Sequence, residues 1–181
     1  MRSSLVFTVL ISGLAACQTA PKVQSGFLSS YDGLTERSDT IRASIRERRD
    51  DAAAEAIDQL FIEPSVLHPG AADDLSDAET ALVLAEADRQ ICYELSERFT
   101  VLSQQDSSAA RVRTAVTGVR PTGRAASAGS AVAGFFIPGP IGVRAPGSTG
   151  GLAVESELIT TDGRQAAALV WARNANVIGT D

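Results

Sequence analysis

The sequence predicts an α+β domain: a small mixed or antiparallel sheet with one long amphipathic helix packed on one face. The order is strand, helix, strand, strand, long loop, hairpin. Three observations carry this reading. Residues 111–119 and 152–160 alternate apolar and polar side chains, the period of a strand with two unlike faces. Asp162-Gly163 then joins the second run to residues 165–172, a strong hairpin signal. Upstream, Ser76-x-x-Glu79 forms a capping box before an apolar-periodic run of about 22 residues.

The chain opens with a different kind of segment. Arg2 gives a short positive n-region, and residues 5–14 are apolar. That run is too short to span a bilayer, which takes roughly 20 apolar residues, but it suits a secretory leader. Leu14-Ala15-Ala16-Cys17 follows: a large apolar residue, two small ones and a cysteine. This is the pattern of a bacterial lipobox. Residues 1–16 are therefore expected to leave as a signal peptide, with lipid carried on Cys17. Two or more acyl chains there would anchor the chain to a membrane durably. Gln18 in place of an aspartate leans toward an outer-membrane address facing the periplasm.

Residues 17–24 read as a polar tether, and 25–181 as a single domain. Phe27, Leu28 and Tyr31 break the polar pattern just after the tether. They are read as pinning it onto the domain, with a partner-docking epitope as the sharper alternative. Ile41, Ala43 and Ile45 alternate with polar residues as in a strand, and 51–56 is a short helical lead-in. Residues 57–67 form a strand that Pro64 interrupts. The long helix then carries Ala81, Leu84, Ile91 and Leu95 on its apolar stripe, with Leu82, Cys92 and Phe99 at the edges. Thr100-Val101-Leu102 is a short strand. On 152–160, Leu152, Val154, Ser156 and Leu158 share one face, and Ala153, Glu155, Glu157 and Ile159 the other.

Residues 122–151 form a long connection rich in glycine, alanine and proline. Its centre, 134–143, is apolar without either period. Long loops in compact domains are uncommon and mostly functional or disordered. Phe135, Phe136 and Ile137 are thus partner-binding candidates alongside Phe27, Leu28 and Tyr31.

Catalytic chemistry is sparse. The chain has one histidine and two cysteines, so multi-histidine metal sites and a disulfide framework are excluded. His68 beside Pro69 reads as a turn residue. Cys92 reads as a buried, inert thiol. Glu155 and Glu157 can do acid–base work as a pair, but on a hairpin they read as a solvated face. No nucleophile elbow or phosphate loop is present. No catalytic, cofactor-binding or metal-ligating residue is assigned. A net charge of −6 disfavours nucleic acid as a partner.

Ser25-Gly26-Phe27-Leu28-x-x-Tyr31 after a lipobox tether resembles the opening of an uncharacterised bacterial lipoprotein family, domain of unknown function 3313. Ile62-Glu63-Pro64, Val119-Arg120-Pro121-Thr122 and Gly150-Gly151-Leu152-x-Val154-Glu155-x-Glu157 extend the resemblance in the same order. The turn at Asp162-Gly163 is shorter than the family's. The resemblance implies an envelope lipoprotein and no assigned activity, so no site residue carries over. The expected function is a membrane-anchored, non-enzymatic protein-binding module with an envelope protein partner. The alternative is a carrier of a lipid or other apolar ligand under the 134–143 stretch.

Overall fold

The computed structural model describes residues 24–38, 43–73, 75–120 and 150–174. The expected leader, Cys17, and the candidates Phe135, Phe136 and Ile137 lie outside the described residues.

The fold corrects the sequence-based expectation of a small sheet carrying one long helix. The domain is built on a mixed sheet of eight strands, with a 20-residue helix and a 5-residue one as the helices among the described residues. The strands are β1 (Thr35–Glu36), β2 (Ala43–Arg49), β3 (Gln59–Ile62), β4 (Val66–Leu67), β5 (Thr100–Leu102), β6 (Ala110–Arg120), β7 (Gly151–Ile159) and β8 (Gln165–Asn174). Their order across the sheet is β1-β2-β8-β7-β6-β3-β5, with β4 also paired to β6.

Two features enlarge the sheet beyond what local patterning indicates. Pro64 removes a ladder donor, so the 57–67 run splits into β3 and β4, both parallel to β6. On the far side, β2 pairs antiparallel with β8 and carries the two-residue β1 on its edge. The β7–β8 hairpin turns through Thr160–Arg164, where Gly163 has φ +84, a conformation that favours glycine. Asp162 accepts from the Thr160 hydroxyl and from Arg164, and these bonds hold its carboxyl down at about 2.

Helix α2 (Asp77–Ser96) connects β4 to β5 and starts on the expected capping box. The Ser76 hydroxyl and the Glu79 carboxylate satisfy each other's backbone amides. Its buried line runs through Val83 and Ala87, in the same row as Ile91 and Leu95 of the predicted stripe, while Ala81 is exposed. These meet Val116 and Leu152. Ile91 and Leu95 meet the cluster around Leu60, Ala110 and Val112. Ala87 is small enough to let the helix backbone approach the sheet. Leu82 is exposed, and Cys92 is exposed rather than buried as expected. The short helix α1 (Asp51–Glu55) is capped by Asp50.

The two sheet faces are covered in different places. α2 lies over β6, whose Ala110, Val112, Thr114 and Val116 are buried beneath it. On the opposite face, Phe27, Leu28, Tyr31 and Leu34 pack over Ala168 and Val170 of β8. A folded polypeptide without regular secondary structure thus serves as the second cover.

Ser76→Ala removes one half of the capping box and is expected to lower stability by about 1 kcal/mol in urea unfolding. An unchanged midpoint would show that the cap contributes nothing. Because the Asp162 carboxyl is depressed in the folded state, its contribution to the hairpin is complete above its ordinary value of 3.8. It is lost as pH falls toward about 2. An NMR titration of the Asp162 side chain is expected to show that low midpoint; a midpoint at 3.8 contradicts it.

Candidate functional site

The sequence places Glu155 and Glu157 on one face of β7. The structure shows that this face is not solvated. Glu155 is fully buried, and Glu157 retains 2% exposure. A buried carboxylate is costly unless donors fill its oxygens. Here most of the donors come from residues 25–31.

Glu155 accepts from three neutral donors. Its Oε1 takes the Ser25 amide at 2.9 Å; its Oε2 takes the Ser25 hydroxyl at 2.7 Å and the Tyr31 hydroxyl at 2.5 Å. Glu157 accepts the Ser29 amide at 2.8 Å and the Ser29 hydroxyl at 3.0 Å. Gln165 Nε2 donates to it at 2.8 Å, and Arg113 closes the set at 2.7 Å. Each of the four carboxylate oxygens therefore has a partner. Two glutamates at i, i+2 on a strand stand about 6.5 Å apart along it, and the looped Ser25–Ser29 segment matches that spacing.

The segment is shaped to present these donors. Gly26 adopts φ +91. The Tyr31 oxygen, besides donating to Glu155, accepts the amides of Gly26 and Leu28 at 2.8 and 3.3 Å. The Ser25 hydroxyl accepts the Phe27 amide at 3.1 Å. Leu28 is buried against Ala168 and Val170, while the Phe27 ring lies under the Arg113 guanidinium at 5.0 Å. Phe27, Leu28 and Tyr31 thus act together, turned onto their own domain.

Further polar groups border the clasp. Arg113 approaches Glu63 at 3.9 Å, and Arg111 pairs with Glu63 at 3.0 Å. Arg48 donates to the side chain and carbonyl of Gln165, and Gln165 also reaches the Ser30 carbonyl at 3.1 Å. Glu63 immediately precedes Pro64, between β3 and β4.

The chain matches the family model described as "Protein of unknown function (DUF3313)" over residues 23–181. It belongs to the DUF3313 family. Three of the short motifs behind the resemblance contribute to this one network. Ser25-Gly26-Phe27-Leu28-x-x-Tyr31 supplies the donors, Val154-Glu155-x-Glu157 the acceptors, and Ile62-Glu63-Pro64 the partner of Arg111 and Arg113. Among solved structures, the DUF3313 chain is similar to a PelC dodecamer from Paraburkholderia phytofirmans. The identity is 12% and the TM-score 0.44, covering 76% of this chain and 86% of that one. A variant PelC dodecamer from the same organism gives 12% and 0.41, covering 76% and 84%. Likeness at that level supports no inference about assembly or role. No curated protein matches the chain.

Of the other residues singled out from sequence, Cys92 lies exposed on α2, and His68 closes β4 with Nδ1 3.1 Å from the Pro69 carbonyl. Neither is brought to the clasp. Among the described residues, no group of three or more histidine, cysteine, aspartate or glutamate side chains is placed to hold a metal ion. The residues sequence reasoning missed are Ser25, Ser29, Arg113 and Gln165. Ser25 stood in the motif, but nothing local links it to a glutamate 130 positions away.

A groove of about 1040 Å³ opens on the α2 side of the sheet, between α2 and the β7–β8–β2 strands. Leu169, Trp171, Val154 and Leu158 form its floor, and Ile91 and Leu95 its helical wall.

Glu155→Gln keeps the shape of the side chain but turns an amide toward the Ser25 and Tyr31 donors. It is expected to destabilise the fold by about 2–3 kcal/mol. Tyr31→Phe should cost clearly less in that background than in the wild type, with a coupling of about 1–2 kcal/mol in a double-mutant cycle. Strict additivity would mean that the two side chains do not act together.

Proposed function

We propose that this protein is a lipid-anchored envelope lipoprotein acting as a non-enzymatic protein-binding module, whose clasp fixes how far the domain stands from its membrane. The observation that carries the reading is the position of the clasp. It begins at Ser25, eight positions after the lipobox cysteine Cys17. Eight residues span at most about 28 Å when fully extended. Without the clasp the first sheet anchor is β1 at Thr35, and the reach grows to about 60 Å.

Two buried carboxylates are an expensive way to fasten a chain end that has nothing to hold. The expense makes sense if the segment bears a load, as the root of a membrane tether does. No helix among the described residues is long and apolar enough to cross a membrane. On this reading the domain is presented near the lipid surface to an envelope protein partner, with nucleic acid disfavoured by the acidic charge. One observation favours a second reading, a carrier of a lipid or other apolar ligand: the apolar floor of the α2-side groove.

The sole lysine, Lys22, lies in the proposed tether and makes a direct test possible. Full-length protein in native membranes is expected to have lost residues 1–16 and to carry acyl mass on Cys17. A lysine-specific protease should release the domain by cutting at Lys22, slowly in the wild type and faster in Glu155→Gln, where Ser25 is freed. An unmodified Cys17 would overturn the lipoprotein reading. Equal release rates would overturn the clasp's control of the tether while leaving the anchor intact.

A further inference from the structure

Leu82, Glu86, Arg89 and Tyr93 follow one another along α2 at spacings of four, three and four residues, so they form one row on the helix surface. Leu82 and Tyr93 are 45% and 60% exposed, two of the three large hydrophobic side chains left in solvent among the described residues. Neither packs in any of the apolar clusters of the domain. Between them, Arg89 donates to Glu86 at 2.9 and 2.5 Å. Ala85, beside the row, is exposed and small enough to let another backbone come close.

The row is symmetric in its chemistry. The midpoint of Leu82 and Tyr93 falls between Ala87 and Asp88, and so does the midpoint of Glu86 and Arg89. A second α2 laid antiparallel across a twofold axis at that point therefore sets each Leu82 on the Tyr93 of the other copy. It also sets each Glu86 opposite the other copy's Arg89. In a parallel pairing, glutamate would face glutamate and arginine would face arginine.

We infer that this row is a docking surface for a second copy of the same chain, paired helix to helix in the antiparallel direction. Charge complementarity points to that occupant, because each copy carries both members of every contact at matching distances from one point. The four charges form a ring of alternating sign, each glutamate lying between its own arginine and that of the other copy. Exposed ion pairs contribute little to affinity, so their part is to fix register and direction. Affinity comes from burying Leu82 and Tyr93 against each other at both ends of the row. One pair of helices is a small interface, so the dimer is weak and forms as concentration rises.

The test replaces Tyr93 of the full-length chain by photoreactive benzoylphenylalanine, an aromatic side chain that keeps the contact and traps a weak partner. Irradiation is expected to give a covalent dimer whose cross-link maps to Leu82 or its neighbours on the second copy. Leu82 of the same copy is about 16 Å away along the helix, out of reach. Glu86→Arg and Arg89→Glu are each expected to lower the dimer yield about tenfold, because like charges then meet, and the two together should restore it. Far-ultraviolet circular dichroism checks that each chain stays folded. No covalent dimer, a cross-link mapping outside α2, or equal yields from the four chains would overturn the proposal. Should the benzoylphenylalanine chain not fold, sedimentation equilibrium of the wild type and the same charge variants reads the same contact. A dimer weakened by each reversal and restored by both supports the pairing; a wild type that stays monomeric, or a dimer indifferent to the reversals, overturns it.

Discussion

Two carboxylates buried on a sheet face set the terms for the rest of this structure. Glu155 and Glu157 sit mid-strand on β7, flanked by β6 and β8, where water cannot reach them. A charged group so placed must be met by donors or it unfolds its surroundings. Only Arg113 brings a formal charge to the pair; the remaining donors are amides and hydroxyls, mostly from residues 25–31. The sheet face and the N-terminal segment are therefore mutually dependent. Without the segment, Glu155 would lose all three of its donors and Glu157 would keep only Arg113 and Gln165, on a face where Ala168 and Val170 would also lose their cover. Without the carboxylates, the segment would keep little more than the packing of Leu28 and Phe27.

The same dependence explains the diagonal arrangement of the domain. α2 covers the β6 half of one face, and the N-terminal segment covers the β7–β8 half of the other. The helix side of β8 is the apolar one, and its Trp171 packs against the cluster of Val83, Ala87, Val116 and Leu152. The domain has a hydrogen-bonded clasp on one face and an apolar groove on the other. The oxygens of both glutamates are already filled by the protein's own groups.

Much of the fold was legible in the sequence, because local rules suffice for strands, turns and caps. Alternation marked β6, β7 and β8; Pro64 marked the break between β3 and β4; Ser76 and Glu79 marked the start of α2. The size of the sheet was not legible. β1 has only two residues, and the parallel pairing of β5 with β3 brings together segments separated by all of α2. The helix stripe was legible at Leu84, Ile91 and Leu95, which pack on the core, but its deepest positions, Val83 and Ala87, were missed because they are small and carry little periodic signal. The glutamate pair was placed on the correct strand face, yet its burial was not foreseen. Alternation tells which residues share a face, not which face is covered, and the covering donors lie 124 to 130 positions upstream.

The most direct measurement of the central claim is amide hydrogen exchange at Ser25 and Ser29, whose backbone N–H groups donate to Glu155 and Glu157. If the clasp is part of the folded domain, both amides exchange at rates comparable to those of the β7 ladder. If they exchange as in an unstructured peptide while β7 stays protected, the carboxylates are met in some other way and the clasp does not exist.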